Sequence, residues 1–221
     1  MKIELNKQLD KEIYLDFKDL VMAGADFGGK IRKDHPGINQ DNYRKYIDDF
    51  YFTNEKELSE KLEQINKILV EKQDMFWLAV KNIFGEDLSE KNYKGYLSIF
   101  NCNPRWTESG TFQVYYKKDG LDMLEVAFHE SLHFAFFDFC NAKLPEIAKK
   151  YRVNSGPLWE LSEIFNVIIL NQPEFIEITE REEKLFYPAL ADKLEKIKLI
   201  WAKKLDMKKF IEESLLFLGA K

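Results

Sequence analysis

Histidine is scarce in this 221-residue chain, which has three, and cysteine scarcer still, with two. Two thiols cannot build a disulfide framework, which removes the small scaffolds that depend on one. Glycine and proline are few, at ten and six, against 45% apolar and 32% charged residues. That balance excludes a disordered or linker-rich chain and favours a folded, mainly helical one. No apolar stretch approaches the roughly 18 residues of a membrane span, and the start, Met1-Lys2-Ile3-Glu4-Leu5-Asn6-Lys7, has no apolar signal segment. Sustained basic runs are missing too. Lys117-Lys118, Lys149-Lys150, Lys203-Lys204 and Lys208-Lys209 are isolated pairs in a chain of net charge -5, which argues against a dedicated nucleic-acid binder. These absences predict a cytoplasmic protein with neither a membrane nor a nucleic acid as partner.

The length suits one domain over 1–221, with a mainly helical N-terminal part over 1–90 and a core with C-terminal helices over 91–221. Residues 10–23 read as a helix, or as a strand and turn. The stretch 24–39 holds Gly24, Gly28, Gly29, Pro36 and Gly37 and reads as a loop. Its Gly28-Gly29-Lys30 lacks the spacing of a phosphate loop. From Asn54, a candidate N-cap with Glu57 at N3, apolar residues recur at helical steps through Leu58, Leu62, Ile65, Leu69, Phe76, Val80 and Ile83 to Gly85, with a break possible near Gln73. Tyr96–Phe100 and Thr111–Tyr116 read as strands of an antiparallel hairpin with a long connection. Helices are expected from Leu121 to about Phe139, near Pro145–Tyr151, from Pro157 to about Leu170, and twice more over roughly 181–217.

What stands out against this background is His129-Glu130-Ser131-Leu132-His133, which uses two of the three histidines. Residues four apart share a helix face, so both imidazoles can meet one metal ion, and the intervening glutamate can take a proton from water at that metal. The flanks, Val126-Ala127-Phe128 and Phe134-Ala135-Phe136-Phe137, make a buried helix with one polar stripe, and a buried polar stripe needs partners. Phe134, Phe136, Phe137 and Phe139 read as core. Zinc is the expected cofactor. Two histidines leave its site one protein ligand short, and no histidine follows His133.

With these flanks the pentapeptide resembles the active helix of the zincin metallopeptidases, over roughly residues 96–170. The resemblance implies an α+β, zincin-like fold, mostly helical, with a small antiparallel-edged sheet packed on the motif helix. It also implies an edge strand that pairs with an extended substrate, for which the strand ending near Tyr116 is the natural candidate. In the glutamate-liganded branch, the gluzincins, the third ligand sits on a later helix. Leu161-Ser162-Glu163-Ile164-Phe165-Asn166 resembles the segment that carries it there, with Ile164 where glycine is usual. Glu163 is thus the implied third ligand, with Glu160 the alternative and Glu160 or Asn166 able to orient the site. The implied activity is zinc-dependent hydrolysis of a peptide or amide bond, with Glu130 as general base and a peptide or protein as substrate. A tyrosine or other donor would stabilise the oxyanion, and Tyr187 is the first candidate, ahead of Tyr151, His35 and Arg152. The alternative function is a non-catalytic binding or regulatory protein that retains its metal.

Overall fold

The computed structural model describes residues 1–86, 88 and 93–219, and the expected boundary near residues 90 and 91 lies outside them. The chain divides into two compact units, each built from two stretches: residues 1–73 with 92–127, and residues 74–91 with 128–221.

The first unit begins with β1 (Lys2–Leu5) and α1 (Lys7–Phe17), whose N-cap Asn6 accepts a hydrogen bond from the Leu9 amide. A two-residue pair, β2 (Val21–Met22) and β3 (Ala25–Asp26), leads into α2 (Phe27–Asp34). The glycine-rich stretch is therefore not a plain loop. Asp26 caps α2 by accepting from the Gly29 amide at 2.7 Å. Gly28 is required for contact and not for a turn, because a Cβ there would lie 2.3 Å from the Lys18 carbonyl oxygen. After α3 (Tyr43–Thr53) comes α4 (Glu55–Phe84), which runs through Gln73 unbroken and ends at Gly85 in a left-handed conformation. Asn54 does not act as the expected side-chain N-cap of α4. Its amide turns back and donates to the Phe50 carbonyl of α3 at 2.8 Å.

The sheet comprises β1, β4 (Lys94–Ser98), β5 (Arg105–Trp106) and β6 (Thr111–Tyr115), in the order β1-β4-β6-β5. The expected strands are present, but β4 and β6 run parallel and do not form a hairpin. The connection passes β6, places β5 antiparallel on its far side, and then turns into β6. The sheet thus has one antiparallel edge and a parallel interior. The pairing also overturns the expectation that β6 offers an open edge. Beyond β5, the Gln113 amide donates to the Pro104 carbonyl at 2.9 Å and the Tyr115 amide to the Asn103 side chain at 3.0 Å. The protein's own chain occupies that ladder. At the opposite edge Asn66 of α4 stands in for a further strand, accepting from the Ile3 amide and donating to the Ile3 carbonyl. Gly95, in register between Ile3 and Phe112, leaves room for both side chains, since a Cβ would lie 2.7 Å from Ile3. The unit closes with the first turns of α5 (Gly120–Lys143), up to Ala127.

Asp10 of α1 lies wholly buried in this unit. One carboxylate oxygen accepts from Ser98 Oγ at 2.6 Å and Gln113 Nε2 at 3.0 Å, and the other from Tyr51 Oη at 2.7 Å and the Ile99 amide at 3.1 Å. One side chain thereby ties α1, α3, β4, β6 and the segment after β4 together.

The second unit takes the last turns of α4 and the rest of α5. It adds α6 (Pro145–Lys150), α7 (Pro157–Leu170), α8 (Pro173–Thr179), a short 3-10 turn at Pro188–Leu190, α9 (Ala191–Trp201) and α10 (Met207–Phe217). The helices expected from the periodicity are present, and α8 is an addition. Phe76 stacks flat on Phe128 with centroids 4.1 Å apart, and Phe165 meets Phe84, Phe136, Trp201 and Phe210. Phe134, Phe136, Phe137 and Phe139 are core residues. Every residue of α7 from Leu161 to Leu170 is buried. Such a helix is enclosed on all sides, so each polar residue on it must find a partner inside the protein.

Burial pushes the Asp10 carboxyl up from its ordinary 3.8 to about 6, against the pull of its four hydrogen bonds. A folded-state value above the unfolded one contributes stability that is full below pH 3.8 and is lost as pH rises through about 6. Asp10→Ala strands four donors and is expected to lower the unfolding free energy by about 3 kcal/mol at neutral pH. The cost should grow as the pH is lowered to 4, which urea melts across that range would read. A cost that does not vary with pH would show that Asp10 does not titrate in this window.

Candidate metal centre

The second half of α5 carries His129, Glu130 and His133, and α7 carries Glu163. The i, i+4 spacing points both imidazoles to one side, and their Nε2 atoms lie 3.0 Å apart. Glu163 Oε2 completes a triangle, 3.6 Å from His129 Nε2 and 3.5 Å from His133 Nε2. His133 is fully buried, the Glu163 side chain is 4% exposed and that of His129 15%, so His129 is the most exposed of the three.

Whether these residues fit a metal can be decided from distances. Donor atoms about 2.0–2.1 Å from a tetrahedral zinc stand about 3.3–3.5 Å from one another. The three separations observed bracket that range. The two Nε2 atoms at 3.0 Å can share one N–H as a neutral hydrogen bond or turn both lone pairs to one metal ion, and the second arrangement also engages Glu163. Charge points the same way. Burial disfavours a charged His129, yet the carboxylates of Glu183, Glu163 and Glu130 outweigh it and hold that imidazole well above the usual histidine value. The cluster is short of positive charge, and a divalent ion would supply it. Among the described residues, His129, His133 and Glu163 are the group of potential ligands whose donor atoms converge on one point. This is a zincin-like metal site with two histidines from one helix and a glutamate from a second, the ligand set of gluzincin metallopeptidases.

Other residues considered from the sequence are placed differently. Glu160, the alternative ligand, is bound instead by Lys193 of α9 at 2.6 Å. Asn166 reaches the site through the backbone, its amide donating to the His129 carbonyl at 2.7 Å and so fastening α7 to α5. It touches no imidazole nitrogen by that bond. Glu130 is 6% exposed, on the same helix as the two histidines. Tyr187 is buried in the segment before the 3-10 turn, with its ring edge-on to Trp159 at 5.1 Å, and Trp159 lies one turn before Glu163 on α7. His35 belongs to the first unit, where its Nε2 meets the Ile99 carbonyl at 2.8 Å and its Nδ1 meets Tyr46 Oη at 3.2 Å. Both ring nitrogens are engaged, and it is a core residue. Tyr151 and Arg152 sit at the end of α6, half-buried and exposed respectively.

Sequence reasoning missed Glu183. Its Oε1 lies 3.2 Å from His129 Nδ1, on the side of the ring away from the ligand cluster. It belongs to no motif and no helix, so neither spacing nor periodicity pointed to it.

No protein-family model matches the chain, and searches of the curated proteins and of the solved structures return no match either. The reading of this centre therefore stands on its ligand chemistry.

Mass spectrometry of the purified chain is expected to find about one zinc per molecule. Glu163→Ala should lose most of it, and Glu160→Ala should retain it. Retention of wild-type zinc by Glu163→Ala would remove Glu163 from the ligand set.

Proposed function

We propose that the protein is a zinc-dependent hydrolase, a metallopeptidase or closely related amidase acting on a peptide or protein. The observation that carries this reading is the convergence of His129, His133 and Glu163, with the carboxylate Glu130 held between the two histidines in sequence. A zinc held by these three protein ligands would be one ligand short of a closed structural site, as catalytic zinc sites are.

When bound there, zinc acts as a Lewis acid that lowers the pKa of water and polarises a substrate carbonyl. The residues of the chain do the rest. Glu130 accepts a proton from water and returns it to the departing amine as the carbon–nitrogen bond breaks. Asn166 holds the His129 backbone and thereby the pitch of the motif helix against α7. Tyr187 is proposed to donate its hydroxyl hydrogen bond to the developing oxyanion, a reading supported by its place on the segment that includes Glu183 and by its contact with Trp159.

A metal that only holds structure does not need a general base, so a carboxylate at Glu130 favours the catalytic reading over the non-catalytic alternative. Among the described residues no helix is long and apolar enough to cross a membrane. The two cysteines, Cys102 and Cys140, are free and buried, each with its thiol pushed up to about 12 by burial. Buried, inert thiols fit the proposed cytoplasmic location, where they stay reduced.

Cleavage of a peptide library by the zinc-loaded protein tests the reading. Glu130→Gln should keep its zinc and lose about 10²–10⁴-fold in kcat/KM. Tyr187→Phe should keep both zinc and fold and lose about 10²–10³-fold in kcat. A Glu130→Gln variant as active as the wild type would overturn the general-base assignment.

A further inference from the structure

We propose that Glu183 is the positioning residue for His129, and that Asn171 fixes its reach, so that a strap outside the motif sets the affinity for zinc. The inference rests on the metal-centre reading and extends it to residues that would not touch the metal.

An imidazole that binds a metal through Nε2 carries its proton on Nδ1, and that N–H needs an acceptor to fix both the tautomer and the angle of the ring. Glu183 Oε1 stands 3.2 Å from His129 Nδ1, within ion-pair reach, and that buried Nδ1 has no aligned hydrogen-bond partner, so Glu183 is the acceptor at hand, while His129 Nε2 faces the other two ligands. The Glu183 side chain is only 9% exposed, and its second oxygen is buried without a hydrogen-bond partner. A carboxylate kept dry at that cost needs a compensating contact, and the imidazole is the one at hand.

No helix or strand holds Glu183 in place. It lies in the strap between α8 and the 3-10 turn, and its position has to come from side chains. Asn171, the C-cap of α7, supplies them. Its Oδ1 accepts from the Glu183 amide at 3.1 Å, and its Nδ2 donates to the Glu183 carbonyl at 2.9 Å and to the Val167 carbonyl at 2.7 Å. The side-chain amide thus pairs with Glu183 as a neighbouring strand would. Upstream, Thr179 Oγ1 donates to the Arg181 carbonyl at 3.0 Å, and Glu180 leaves α8 in a left-handed conformation with φ of 58°. Downstream, Tyr187 packs on Trp159 near the start of α7. The strap is anchored at both ends of α7, the helix that presents Glu163. One helix therefore delivers a ligand directly and, through Asn171, the acceptor behind another.

Zinc affinity measured by competition with a chelating dye tests this on the full chain, for wild type, Glu183→Ala, Glu183→Gln, Asn171→Ala and the Glu183→Ala/Asn171→Ala pair. Glu183→Ala is expected to bind zinc about 10–100-fold more weakly. Glu183→Gln, which keeps the shape and an acceptor oxygen, should fall between it and wild type. Asn171→Ala should weaken binding by less, and should add nothing once Glu183 is gone, because it acts through that residue. Thermal melts of the metal-free proteins separate this from a general loss of fold, and if Glu183→Ala does not fold, the Gln variant decides. Wild-type affinity in both Glu183 variants, or additive losses in the double variant, would overturn the proposal while leaving the metal centre intact. Absence of zinc binding by the wild type would overturn both.

Discussion

A carboxylate on a helix with no solvent-facing side is the constraint from which the second unit follows. From Leu161 to Leu170, α7 is buried throughout, and Glu163 sits within that stretch. Removing a carboxylate from water costs several kcal/mol even after relaxation, and only positive charge or well-aimed donors offset that cost. Of the other polar residues of the stretch, Ser162 donates to the Trp159 carbonyl and Asn166 to that of His129, leaving the Asn166 Oδ1 buried without a hydrogen-bond partner. Glu163 faces two imidazoles whose own nitrogens meet at 3.0 Å. A metal ion shared by all three would offset that cost. The aromatic packing of Phe76, Phe128, Phe136 and Phe165 then holds α5 and α7 at the spacing at which one ion can serve all three.

How far this could be read from the chain depends on the sequence separation of the contacts. The motif is local: its two histidines share a face because of helical pitch alone, and no tertiary information is needed to see it. The end of α4 at Gly85 and the start of α7 at Pro157 were legible for the same reason, being set by single residues at helix ends. Glu163 was reachable through resemblance and the number of ligands still required, but its preference over Glu160 became decidable only when Lys193 was seen to hold the latter. Strand direction was not legible. Tyr96–Phe100 and Thr111–Tyr116 have strand residues whichever way they pair, and the turn chemistry at Asn103–Arg105 belongs to the entry into β5, not to a β4–β6 hairpin. The glycines of 24–39 misled because a glycine needed for close approach looks in sequence like one needed for a turn. Glu183 had no signal, since side-chain hydrogen bonds from Asn171 define its position.

The two units bury carboxylates under different arrangements, and the difference separates a structural group from a functional one. Asp10 is surrounded by neutral donors, two hydroxyls, a side-chain amide and a backbone N–H, which satisfy both oxygens. Nothing further is needed there, and no ligand would improve it. Glu163 and Glu183 bracket His129, while His133 completes the cluster. The groups that neutralise these carboxylates are titratable, and one of the imidazoles is drawn well above its ordinary value by the negative charge around it.

A fold gains little by concentrating three carboxylates around two histidines when hydroxyls and amides would pack as well, as they do around Asp10. A metal ion entering there would displace any proton held on the ligand nitrogens, with the charges of Glu163, Glu183 and Glu130 already in place. The excess negative charge disfavours the empty, unprotonated cluster and favours whichever cation arrives. The geometry of two imidazoles and one carboxylate then favours zinc over the hard, oxygen-seeking ions. What α5, α7 and the strap bring together is therefore a cluster of carboxylates and imidazoles short of positive charge, which a divalent metal held by His129, His133 and Glu163 would supply.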